Sequence, residues 1–150
     1  MWYLSLKILI YISIGLTIFS FLKPKNCNTK SLSAYISSAF LEAKSIAVKY
    51  GESTIHFQNE EIKIMSNKFE KKYRFDFKIS APATSKRACS NIAGTPQIKT
   101  NFKFSSRGLK DLSGTLYVSC DKDFLAFSVL SPTGGITTCI YNGKEWEDIN

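Results

Sequence analysis

The chain is poor in the side chains that catalysis and metal binding draw on. Its 150 residues hold one histidine, His56, and four cysteines with no C-x-x-C pair among them. A single imidazole in the alternating run STIHF reads as a strand histidine, and a zinc site with paired ligands is excluded. Glu60-Glu61 and Asp121-x-Asp123 are the carboxylate pairs considered for acid–base work, and both fall in turn-like sequence where acids are usually solvated. Thr133-Gly134-Gly135 has no Lys-Ser/Thr and helix after it, so it is a hairpin turn rather than a phosphate loop. We expect no catalytic residue, no metal and no cofactor, and hence no enzyme.

Charge is missing from one stretch and acid from a longer one. Ile8 to Leu22 carry no charge, and residues 1–30 hold four lysines with no acidic residue. The twenty-two residues from Met1 to Leu22, if helical, rise about 33 Å, enough to cross a bilayer with Lys7 reaching back to the surface. The competing reading is a cleaved signal peptide with Lys7 as its basic start, although no small-x-small cleavage site follows Leu22. Lys23, Lys25 and Lys30 would by charge alone stay in the cytoplasm. The cysteines favour the opposite side, where disulfides form. The expected organisation is an inner-membrane anchor or signal at 1–22, a stalk at 23–30 and an extracytoplasmic domain at 31–150.

The net charge of +8 is unevenly spread: residues 63–110 hold twelve Lys or Arg against Glu70 and Asp76, whereas residues 111–150 hold two Lys against six acids. The basic block reads either as a solvated sheet face or as a surface that neutralises phosphate without reading bases. For DNA the candidate residues are Lys86 and Arg87 on a long loop, then Lys103, Arg107 and Lys110.

Ser31 to Tyr50 has apolar side chains at Leu32, Tyr35, Ala39, Ala43, Ile46 and Tyr50, steps of three and four that predict an amphipathic helix. Ser31 or Thr29 can cap it and Gly51 can end it. The period then becomes two. STIHF (53–57) and EEIKIM (60–65) read as a hairpin, YRFDFKI (73–79) as one half-buried strand and 80–97 as a loop. IKTNFKF (98–104), GTLYVSC (114–120), FLAFSVLS (124–131) and ITTCIY (136–141) are further strands, and GKEWEDIN is a polar tail. The expected fold class is α+β, an N-terminal hydrophobic helix continuing into this amphipathic helix, packed on an antiparallel sheet of six or seven strands.

In a meander with turns at 121–123 and 132–135, Cys139 falls beside Ser128 and Cys120 beside Phe124, too far apart for a direct bridge. Cys89, on its loop, is therefore expected to bridge Cys120 or Cys139 ahead of Cys27.

Three stretches, in this order, carry a resemblance: FLEAKSIAVKYGESTIHF (40–57), FKFSSRGLKDLSGTLYVSC (102–120) and FLAFSVLSPTGGITTC (124–139). The first is similar to a helix end of L-x-x-A-R-S-x-A-I-x-R-G type entering a strand. The others look like F-x-x-x-G before a strand, then a strand, an S-x-x-G-R turn and a last strand, with Gly135-Ile136 in place of Gly-Arg. Together they resemble the type IV pilin-like proteins, specifically the minor pilins and pseudopilins of the GspH/FimT type, over about two thirds of the chain. Gly15-Leu16-Thr17-Ile18-Phe19-Ser20 only echoes the family leader and lacks its Glu. The resemblance implies a structural subunit of a type IV pilus or type II secretion system, serving protein transport beside other pilin or pseudopilin subunits. It also implies DNA uptake as an alternative role. The residues themselves leave open a secreted or periplasmic disulfide-stabilised binding module.

Overall fold

The computed structural model describes residues 27–83, 88–89 and 98–149. The expected membrane segment at 1–22 and the loop cations Lys86 and Arg87 lie outside these residues. Among the described residues no helix is long and apolar enough to cross a membrane.

The helix α1 spans Thr29–Tyr50. Asn28 starts it, not Thr29 or Ser31: its backbone is extended and its side-chain oxygen accepts the amides of Lys30 and Ser31 at 2.9 and 3.5 Å. Gly51 ends it at φ 94°, a left-handed turn that costs glycine nothing, and its amide closes on Ala47 at 2.8 Å. Leu32, Ile36, Ala39, Phe40, Ala43, Ile46 and Ala47 are buried. Tyr35 and Tyr50, expected within the stripe, lie half-buried at its edge. Ile36 and Phe40 take the centre instead.

The strands form two antiparallel sheets of five rather than one sheet of six or seven. The first has the order β3-β2-β1-β5-β6, with β1 Glu52–Gln58, β2 Glu61–Met65, β3 Glu70–Arg74, β5 Asn101–Ser105 and β6 Gly108–Leu109. The second has the order β10-β9-β8-β7-β4, with β4 Lys78–Ile79, β7 Gly114–Cys120, β8 Asp123–Leu130, β9 Gly135–Tyr141 and β10 Trp146–Asp148. The alternation at 73–79 is real, but the chain crosses between sheets there. Phe75 donates its amide to Glu60 O and Phe77 accepts that of Glu60, and pairing then resumes with β7. Phe77 is buried while Tyr73 and Phe75 pack on Tyr35. Ile98, expected in a strand, makes only an isolated bridge to Thr115, and the expected polar tail is strand β10.

Register also differs from expectation. The β7–β8 turn is Asp121-Lys122, which pairs Cys120 with Asp123 and Leu116 with Phe127. A one-residue slip would send each side chain to the other face, and burying Leu116 and Phe127 together decides it. The next turn begins at Ser131, with Leu130 opposite Gly135, so Cys139 faces Ala126 rather than Ser128.

One core fills the space between helix and sheets. Phe40 lies 5.0 Å from Phe57, 5.2 Å from Phe102 and 6.5 Å from Phe127, ring centre to ring centre. A smaller cluster covers the other face of the second sheet: Ala88, Cys89, Tyr117, Ala126 and Cys139 under Trp146. Each face carries one disulfide. Cys27 bridges Cys120 on the core side, and Cys89 bridges Cys139 in the smaller cluster. The Cys89–Cys139 bond is one of the two expected pairings. Cys27 was ranked behind the others and also joins, because helix α1 begins beside the end of β7. Cys120 and Cys139 lie on opposite faces of the sheet, which keeps them apart.

Candidate functional site

The 3.6-residue period that buries one side of α1 defines the opposite side. From Ser31 to Val48, the fully exposed positions are Ser31, Ala34, Ser38, Leu41, Ser45 and Val48, and none is charged. Their spacing alternates three and four, as one face of a helix does, and three of the six are serines. Leu41 is 61% and Val48 67% exposed.

The charges that could spoil this stripe are turned away from it. Lys44 donates its ammonium to the carbonyl of Gly134 at 3.1 Å. Glu42 accepts from Lys71 at 2.6 Å and from the hydroxyl of Tyr73 at 2.5 Å, both on β3. Burial pushes the Glu42 carboxyl up, but these hydrogen bonds and the Lys71 charge outweigh it and hold its pKa below the ordinary value. The same contact raises Lys71, chiefly through its hydrogen bond to Glu42. Tyr73 is also raised, by burial first and then by the bond to Glu42. Lys49 lies over the Tyr50 ring at 5.2 Å.

The candidate phosphate contacts Lys103, Arg107 and Lys110 do come together, on the β5–β6 hairpin. The Lys110 amide donates to Lys103 O at 2.8 Å, and Arg107 sits exposed in the turn. Acids share the hairpin. Lys110 pairs with Glu52, lowering that carboxyl mainly by hydrogen bonding, and Asp111 accepts the amide of Lys103 at 3.2 Å. Among the described residues, Lys103 and Arg107 make no ion pair.

His56 is on the solvent side of β1, where its ring nitrogens meet Asn101 Oδ1 and Gln58 Nε2. Cys89, Cys139 and Asp148 place possible metal-ligand atoms within 4.8 Å of one another, but the two sulfurs are bonded together and offer no thiolate. Sequence reasoning found the buried side of α1 and passed over the exposed one, although the spacing of Ser31, Ala34, Ser38, Leu41, Ser45 and Val48 is visible in the sequence. What it could not show is that Glu42 and Lys44 fold back. No family model, no curated protein and no solved structure matches this chain.

Proposed function

We propose that this protein is a pilin-like structural subunit, a minor pilin or pseudopilin of a type IV pilus or type II secretion system. In this reading residues 1–22 hold it in the inner membrane and the α+β domain lies outside the cytoplasm. The observation that carries the proposal is the uncharged exposed stripe of α1. In sequence it follows the apolar segment Ile8–Leu22. A helix that is apolar or small on both sides needs a second neighbour, and the helix of a sister subunit supplies one. Two disulfides support an oxidising compartment.

In cells, a photo-crosslinking residue at Ser38 or Ser45 should yield adducts with other small membrane-anchored subunits, and one at Thr54 on the far sheet face should not. Adding Leu41→Asp should abolish the adducts while leaving the domain folded. Equal adducts at Thr54, or none at the helix, would sink the proposal.

A second reading, DNA binding, has one observation in its favour: Lys103 and Arg107 lie on one hairpin and, among the described residues, make no ion pair. Binding of duplex DNA that weakens steeply with salt and is lost in Arg107→Glu would support it. Equal binding by variant and wild type would end it.

A further inference from the structure

The two disulfides sit in different surroundings. Cys139 is 0% and Cys89 4% exposed, packed with Tyr117 and Trp146. A carboxylate oxygen of Asp148 stands 2.9 Å from Cys139 Sγ. Disulfide exchange needs a thiolate to attack one sulfur while the other departs as thiolate. Negative charge at Asp148 opposes both the arriving and the departing charge at Cys139. The bond is closed sterically and electrostatically.

Cys27–Cys120 is placed otherwise. Cys120 is buried, but Cys27 is partly exposed. A cleft of about 250 Å³ opens onto both residues, with Asp76, Phe77, Lys78, Ser119 and Asp121 as its remaining walls. Cys27 immediately precedes Asn28, the residue that caps α1, so this bond is the covalent tie between the start of the helix and the end of β7.

We propose that Cys27–Cys120 is an exchangeable disulfide, opened through this cleft by a dithiol, and that opening it loosens the first turn of α1 while the domain stays folded. A thiolate of the dithiol attacks Cys27 Sγ, the accessible sulfur. The bond to Cys120 breaks, and the Cys120 thiolate leaves into the cleft that both cysteines line, then takes a proton from water. The second thiolate of the reagent attacks its own sulfur in the mixed disulfide and expels Cys27 as thiolate, which is protonated in turn. The dithiol ends as a disulfide, and its two electrons have reduced Cys27 and Cys120. Leu32, Ile36, Phe40 and Ala43 are buried against the sheets, so the fold should survive loss of the bond. This proposal goes beyond the structural reading and does not require it.

The test is graded reduction of the full chain by dithiothreitol without denaturant, quenched by alkylation and mapped by peptide mass. Cys27 and Cys120 should be labelled at least about tenfold faster than Cys89 and Cys139. Hydrogen exchange of the half-reduced protein should rise at residues 29–33 and stay unchanged in β7, β8 and β9. The Cys27→Ser, Cys120→Ser variant should reproduce that exchange pattern. Opening of Cys89–Cys139 first, or of both bonds together, would overturn the selective exchange. Unchanged protection at residues 29–33, or loss of protection throughout the sheets, would overturn the loosening.

Discussion

Glu42 on the helix accepts the hydroxyl of Tyr73 on strand β3 at 2.5 Å. With Lys71 as a second donor, this carboxylate fastens the edge of the first sheet to the helix. It also clears charge from the face of α1 that we assign to a partner.

Glu42 should therefore appear in the acid limb of stability. Its folded pKa is lowered, so its contribution is present above the unfolded carboxylate pKa and is lost as pH falls through the folded value. The carboxylate is about one third exposed, so the effect is modest, about 1 kcal/mol or less. Urea unfolding of wild type and Glu42→Gln should differ at pH 7 and converge toward pH 3. An undiminished difference at low pH would show that packing, not charge, is at work.

Phe40 and Leu41 are adjacent and should behave oppositely. Phe40→Ala should cost about 3–5 kcal/mol, because it empties the space between rings of both sheets. Leu41→Ala should change stability by less than about 0.5 kcal/mol, since that side chain is exposed. Chemical denaturation reads both. A large loss at Leu41 would mean that its side chain is packed within the monomer.

Gly108 opens β6 at φ 123°, and a Cβ there would lie 2.1 Å from the carbonyl oxygen of Pro132. Backbone meets backbone, so no side chain can swing aside. Gly108→Ala should cost about 2 kcal/mol or more and loosen the hairpin that presents Arg107. A melting temperature equal to wild type would contradict this.

Trp146 packs on the smaller cluster, 5.7 Å from Tyr117 and 5.3 Å from Tyr141. Removing the Cys89–Cys139 bond, which closes 50 residues, should cost about 2–4 kcal/mol. It should also shift Trp146 emission to longer wavelength as water reaches the ring. The reading is clean in a Trp2→Phe background. Unmoved emission would place the cluster's cohesion in Trp146 and Tyr117 rather than in the bond.

Elements whose pattern is local were legible in the sequence. The helix from Ser31 to Tyr50, the β1–β2 hairpin and the strands at 114–120, 124–131 and 136–141 follow from side-chain period and turn residues, which each segment carries in itself. The split into two sheets was not legible. Residues 73–79 alternate without interruption, and only the competition between pairing with β2 and with β7 breaks them after Arg74. Register was beyond the sequence for the same reason, since the pairing of Leu116 with Phe127 depends on a core built from distant strands. The cysteines show the limit most plainly. Their number behind an apolar segment pointed to disulfides, but joining Cys27 to Cys120 across 93 residues needed the helix start and the end of β7 to meet. The uncharged stripe of α1 stands between these cases. Its spacing is written in the sequence, but Glu42 and Lys44 leave it only because the folded sheets offer Tyr73, Lys71 and the carbonyl of Gly134 as better partners than water.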